Sequence, residues 1–101
     1  ISDIENIIQN ALPSGIPAVT QVAKLLGMSN RTLTRRLADH QVTFRDLVHK
    51  KQEEISKYLL RKPEKSMAEI AFETGFSEQS AFNRAFKRWT DQTPIEFRKS
   101  L

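Results

Sequence analysis

The sequence predicts an all-α fold, with seven short helices joined by brief connections and packed as a compact bundle. Three observations carry this expectation. Apolar residues recur at the three- and four-residue spacing of amphipathic helices along most of the chain. No segment alternates apolar and polar residues as a half-buried strand would. The 3 Gly and 4 Pro fall where helical segments should end.

The elements follow in order. Ile4, Ile7, Ile8, Ala11 and Leu12 form one stripe, predicting a first helix from Asp3 to Leu12 that Pro13, Gly15 and Pro17 break. Val19, Val22, Ala23, Leu25 and Leu26 are the apolar positions of a short second helix that stops at Gly27. Ser29 is a good N-cap for a third helix carrying Leu33 and Leu37. A longer fourth helix spans Thr43 to Leu60, with Phe44, Leu47, Val48, Ile55 and Leu59 on its apolar stripe. The stem of Lys51 is expected to lie along that stripe, and Pro63 ends the helix. Ser66-Met67-Ala68-Glu69 reads as a capping box opening a fifth helix with Ile70, Ala71 and Phe72, which stops at Gly75. A sixth begins near Ser77 or Glu78 and holds Phe82, Phe86 and Trp89. Thr93-Pro94-Ile95-Glu96 opens the last, with Pro94 at the first helical position and Glu96 closing the box.

At 101 residues the chain has the size of one domain with a single modest core. No stretch approaches the roughly 18 apolar residues of a spanning helix, so no membrane partner is expected. The absence of cysteine excludes disulfides and thiolate metal sites and suits a reducing cytoplasm. A net charge of +4 and a pI of 9.7 favour an anionic partner. The first residue is Ile1, not Met, as expected of a piece of something longer.

An internal repeat points to function. Ala23-Lys24-Leu25-Leu26-Gly27-Met28-Ser29, followed by Leu33, Arg35 and Leu37, is matched by Ala71-Phe72-Glu73-Thr74-Gly75-Phe76-Ser77, followed by Phe82, Arg84 and Phe86. The second copy has one more residue between its serine and its helix. In each, a small residue lets two helices approach, and glycine permits positive φ at the turn. The following apolar residue plugs the core, and the serine is expected to cap the second helix. These are the requirements of a helix-turn-helix, whose second helix enters the major groove of DNA. The chain thus divides into a first helix-turn-helix subdomain (3–42), a linker helix (43–61) and a second subdomain (62–101).

The pattern also resembles the AraC/XylS family of bacterial transcription regulators over nearly all of the chain. The specific residues are Ile70-Ala71, the run from Gly75-Phe76-Ser77 through Phe82, Arg84, Phe86-Lys87 to Trp89, then Thr93-Pro94 and Phe97-Arg98. Three departures stand out. Asp91 or Gln92 occupies the place of the usual glycine before Thr-Pro, Leu37 replaces a frequent phenylalanine, and residues 50–56 are unusually polar for the linker.

With Leu33 and Leu37 facing the core, Asn30, Arg31, Thr34 and Arg35 fall on the outer side of the third helix. On the sixth, Phe82 and Phe86 leave Gln79, Ser80, Asn83 and Arg84 outward. Arg suits guanine and Asn or Gln adenine, at about 1–3 kcal/mol of discrimination per good pair. The resemblance implies base contacts at Arg31, Thr34, Arg35, Gln79, Ser80 and Arg84. Arg36, Arg61, Lys62, Lys65, Lys87, Arg88, Arg98 and Lys99 are candidates for phosphates, as are the helix N-termini near Thr20, Ser66 and Thr93.

Helical spacing assigns Phe72, Phe76, Phe82, Phe86, Trp89 and Phe97 to core packing, not base stacking. His40 and His49 lack partners at metal spacing and read as surface or helix-end residues, so neither metal nor cofactor is expected. The linker helix, about 17 residues and roughly 25 Å long, is of the order needed to hold two recognition helices one DNA turn apart.

The sequence therefore predicts a DNA-binding domain acting on a promoter, with RNA polymerase as a possible partner. The fragment is expected to be monomeric, with any dimerisation residing in a separate preceding domain that relatives usually carry. A non-specific nucleic-acid binder and a helical protein-interaction module are the alternatives. No nucleophile–base pair, phosphate loop or metal cluster points to an enzyme.

Overall fold

Seven helices and one 3₁₀ turn account for the regular structure of the chain, whose computed structural model describes all of residues 1–101. They are α1 (Ser2–Ala11), a 3₁₀ turn (Leu12–Ser14), α2 (Val19–Leu25), α3 (Asn30–Asp39), α4 (Phe44–Leu60), α5 (Met67–Glu73), α6 (Gln79–Thr90) and α7 (Pro94–Lys99). There is no strand, as the missing period-two pattern predicted. The 3₁₀ turn was not foreseen: Pro13 lacks an N–H, and the chain tightens there instead of ending α1 at Leu12.

The buried residues form two clusters, one at each end of an elongated body measuring 42 × 24 × 20 Å. In the first, Ile4, Ile8 and Leu12 pack on Val22, Leu33, Leu37, Leu47 and Val48. In the second, Leu59, Leu60, Ile70, Ala71, Phe82 and Phe86 pack together, with Phe76, Trp89 and Phe97 against them. α4 contributes to both, and Ile55 touches both clusters. The second cluster is aromatic: Phe86 meets Phe82 at 5.9 Å and Phe97 edge-on at 5.4 Å between ring centroids.

Two apolar positions depart from the expected pattern. Leu25 is 72% exposed and Phe72 57% exposed, so neither belongs to a core. α2 and α5 have seven residues each, and a helix of two turns buries only one narrow stripe, here Val22–Ala23 and Ile70–Ala71.

Caps fix most helix starts. Ser29 Oγ accepts from the Thr32 N–H at 3.1 Å. Thr43–Asp46, Ser66–Glu69 and Thr93–Glu96 form reciprocal boxes in which hydroxyl and carboxylate each accept a backbone N–H. Each carboxylate is held below its ordinary pKa, first by the backbone N–H of its cap and then by the hydroxyl. At the end of α6, Asp91 takes the left-handed conformation, φ 63°, which glycine adopts most easily.

The polar stretch of α4 also has a structural reason. Gln52 is 1% exposed, and its Nε2 donates to the Thr74 carbonyl at 2.9 Å, while buried Ser56 donates to the Gln52 carbonyl. The Thr74 hydroxyl in turn donates to the Ile70 carbonyl at 2.7 Å. The Gln52 bond satisfies a carbonyl at the end of α5 that has no helical partner, and the two hydroxyl bonds satisfy buried side-chain donors. On the outer side of α4, Lys50 and Lys51 both approach Glu5, at 3.1 and 4.0 Å, which ties α4 to α1.

Candidate nucleic-acid interface

The two repeat copies make the same turn. The Met28 N–H donates to the Ala23 carbonyl and the Phe76 N–H to the Ala71 carbonyl, both at 2.9 Å. Gly27 and Gly75 follow the first helices with φ +68° and +94°, the positive values the repeat called for. Behind each turn stands a buried small residue, Ala23 or Ala71. Each half is a helix-turn-helix, α2–α3 and α5–α6.

The copies differ at their second cap. Ser29 caps α3, but Ser77 does not cap α6: the extra residue moves the N-cap to Glu78, which makes no side-chain cap bond. The expectation that both serines cap is therefore corrected for the second copy.

On α3, Asn30, Arg31, Thr34 and Arg35 are all exposed. Asn30 Nδ2 donates to Thr20 Oγ1 at 3.2 Å, joining two candidate residues from neighbouring helices. On α6, Gln79, Ser80 and Arg84 are exposed and Asn83 is half-buried. Ser80 Oγ lies 3.5 Å from Glu78 Oε2. Each helix thus presents polar and basic side chains on the face opposite its core residues.

The phosphate candidates separate into two groups. Arg36, Arg61, Lys87, Arg88 and Lys99 are exposed, and none of them forms an ion pair. Three others are engaged within the protein. Arg98 donates through Nε to the Leu60 carbonyl at 2.9 Å and through Nη2 to the Lys62 carbonyl at 3.0 Å, so it closes the end of α4. Lys65 lies 2.7 Å from Glu73, which raises its pKa. Lys62 stands 4.8 Å from the centre of the Tyr58 ring. The N-termini at Ser66 and Thr93 are filled by Glu69 and Glu96, whose charge opposes a phosphate.

A seam between the halves sets their relative position. A Cβ on Gly75 would lie 3.2 Å from both Leu12 and Ile16 of the first half, so the second turn is pressed against the 3₁₀ segment. Beside it, the His49 ring on α4 meets Trp89 on α6 with centroids 6.0 Å apart. His49 is half-buried within α4, not the surface or helix-end residue expected, and burial first, then Arg45 and Arg88, lowers its pKa. A groove of about 720 Å³ beside α3 is lined by Thr34, Ala38, Arg45 and His49, among others. Arg45 drew no attention in the sequence; the available signal is that Arg45 and His49 lie four apart on the first turns of α4.

Comparison with known proteins places this architecture. A family model described as a helix-turn-helix domain matches residues 22–100. The chain belongs to the AraC/XylS-type helix-turn-helix family. It is 38% identical over 92 residues to the HTH-type transcriptional regulator VqsM of Pseudomonas aeruginosa, covering 91% of this chain but 28% of that regulator. The C-terminal domain of AraT, a response regulator from Geobacillus stearothermophilus, superposes with a TM-score of 0.88 at 26% identity, covering 99% of this chain and 84% of that one. The DNA-binding domain of AdpA, solved with a target DNA, shares the fold with a TM-score of 0.82 at 22% identity, covering 98% and 89% of the two chains. The all-helical architecture is thus that of the AraC-type DNA-binding domain, and the family is one of transcription regulators, not of enzymes. No helix is long and apolar enough to cross a membrane.

Proposed function

We propose that the chain is the DNA-reading part of a bacterial transcription regulator, laying α3 and α6 into successive major grooves on one face of a promoter. The observation that carries this reading is the pair of equivalent turns presenting two exposed polar and basic helices from halves packed against each other. A length of 42 Å accommodates two reading heads about one DNA turn, roughly 34 Å, apart. Arg31, Thr34 and Arg35 are assigned to base edges in one groove and Gln79, Ser80 and Arg84 in the other. Asn30 supports that set through Thr20, and half-buried Asn83 reaches less far. Arg36, Arg61, Lys87, Arg88 and Lys99 are assigned to phosphates, while Arg98 and Lys65 serve the scaffold first.

In a full-length regulator this domain would act in the cytoplasm on promoter DNA and present a surface to RNA polymerase, with any dimerisation carried by another domain. Electrophoretic shift with genomic promoter fragments, in the presence of excess random duplex, tests the reading. Arg35→Ala and Arg84→Ala should each weaken binding by about 5- to 150-fold, as loss of a bidentate base contact worth about 1–3 kcal/mol implies. Unchanged affinity in both variants overturns the assignment, and equal competition by random duplex favours a non-specific binder.

A further inference from the structure

The start of α4 lies against both recognition helices and carries basic residues there, Arg45 and His49 bordering α3 in one groove and His49 meeting Trp89 of α6. On α6, Ser80, Arg84 and Arg88 repeat every four residues and therefore share a face. Arg88 is the member nearest the helix end, next to Trp89, whose ring meets His49. On α3, Thr34 and Ala38 border the groove that Arg45 and His49 line from α4. Arg45 and His49 from α4 and Arg88 from α6 thus flank the His49–Trp89 contact between those two helices.

The electrostatics of this place are lopsided. None of the chain's ion pairs involves Arg45 or Arg88, whereas Lys50, Lys51, Lys57 and Lys65 all have acidic partners. The charged groups acting on His49 are Arg45 and Asp46 on its own helix and Arg88 on α6. Asp46 is occupied as the cap of α4, accepting the Thr43 N–H at 3.0 Å. The remaining groove wall, from α3 and the segment before α2, offers neutral Thr34, Ala38, Ile16 and Pro17. Arg45 and His49 therefore share the groove, Arg88 acts on the same imidazole from α6, and the one acid near it, Asp46, is held as the cap of α4.

On one face of a duplex, the ridges between two successive major grooves are phosphodiester backbone. With α3 and α6 in those grooves, a ridge passes over the start of α4, which lies against both. We infer that Arg45, His49 and Arg88 form a phosphodiester seat between the two recognition helices, and that His49 takes up one proton from solvent when a backbone phosphate occupies it. The inference rests on the DNA-binding reading above. In the free protein, burial and two cations disfavour the imidazolium; a phosphate anion reverses the sign of that field. Binding then favours the protonated form, so affinity is highest at low pH and falls as pH rises through the window between the free and bound pKa values. The loss of affinity across that window equals the ratio of the two proton-dissociation constants of His49, free and bound.

The test uses the 101-residue chain and a random-sequence duplex of about three helical turns, since a phosphate contact is independent of sequence. Affinity is measured by anisotropy from pH 5.5 to 8 at fixed ionic strength. The expected result is a decline with rising pH for the parent and for His40→Gln, and a flat profile for His49→Gln. Arg45→Ala should lower the slope of log affinity against log salt by about one. NMR titration of the His49 ring in the unmodified chain, free and bound, supplies a readout that needs no variant: its pKa should rise on binding. Parallel pH profiles for parent and His49→Gln, or an unmoved His49 pKa, overturn the seat while leaving DNA binding intact. Failure to bind any duplex overturns the DNA-binding reading and this inference together.

Discussion

The most informative substitution is Gly75→Ala, set against Gly27→Ala. Both glycines hold positive φ, +68° at Gly27 and +94° at Gly75, so both variants incur the backbone cost of an L residue there, about 1–2 kcal/mol. Loss of chain entropy in the unfolded state returns about 0.4–1 kcal/mol. At Gly27 nothing stands within 4 Å of the new methyl group, so a net loss of about 1 kcal/mol is expected. At Gly75 the methyl group meets Ile16 Cγ1 and Leu12 Cδ2 at 3.2 Å and the Ile16 backbone nitrogen at 3.4 Å. Leu12 is fully buried and cannot yield without disturbing the first core, which adds an overpacking cost of about 1–3 kcal/mol. Gly75→Ala should therefore lose about 2–4 kcal/mol in all. Urea denaturation at equilibrium measures both variants, and calorimetry should place their midpoints about 5–15 °C apart. Ile16→Ala, at a half-exposed position, should recover part of the loss in the Gly75→Ala background, giving a non-additive cycle. Equal losses for the two glycine variants, within about 0.5 kcal/mol, would refute the view that Gly75 is a point of contact between the halves.

Other outcomes follow from the same geometry. Ser29→Ala removes a cap and should cost about 1 kcal/mol, whereas Ser77→Ala, which loses none, should stay within about 0.5 kcal/mol of the parent in the same unfolding assay. Arg98→Ala should lower stability by about 2 kcal/mol through two lost charge-assisted bonds, yet leave the salt dependence of DNA affinity unchanged. Acid should erode stability in two stages, read from the urea midpoint against pH. His49 has a folded pKa below the unfolded value of 6.5, so protonation favours the unfolded chain as pH falls through that window. Asp46, Glu69 and Glu96 have depressed folded values, so their contribution is complete above the unfolded values of 3.8 and 4.5 and is lost as pH falls through the folded ones. A midpoint unchanged between pH 7 and pH 3 would contradict both assignments.

Much of this was legible in the residues because it depends on local chemistry. The boxes at Ser66 and Thr93 and the turns at Gly27 and Gly75 need only a few adjacent side chains and behave as their spacing dictates. The seven helices follow for the same reason. Three features could not be read that way. Leu25 and Phe72 sit on helices of two turns, where periodicity cannot define which stripe is buried. Gln52 and Ser56 are polar residues in the interior, and their partners are backbone carbonyls, the Thr74 carbonyl lying 22 residues beyond Gln52. The engagement of Arg98 with the end of α4 crosses more than thirty residues, so a cation that reads as a phosphate ligand becomes a clasp. At the site, the outward faces of α3 and α6 were predictable from their inward leucines and phenylalanines. The place where α4 and α6 meet was not, since it exists only once the halves are packed.

The central claim is that one chain reads two successive major grooves through α3 and α6. Hydroxyl-radical footprinting on a bound promoter fragment tests it most directly. Two protected stretches on one face, about one helical turn apart, are predicted, with Arg35→Ala weakening one and Arg84→Ala the other. A single protected stretch, or a footprint in which both substitutions weaken the same stretch, would contradict it.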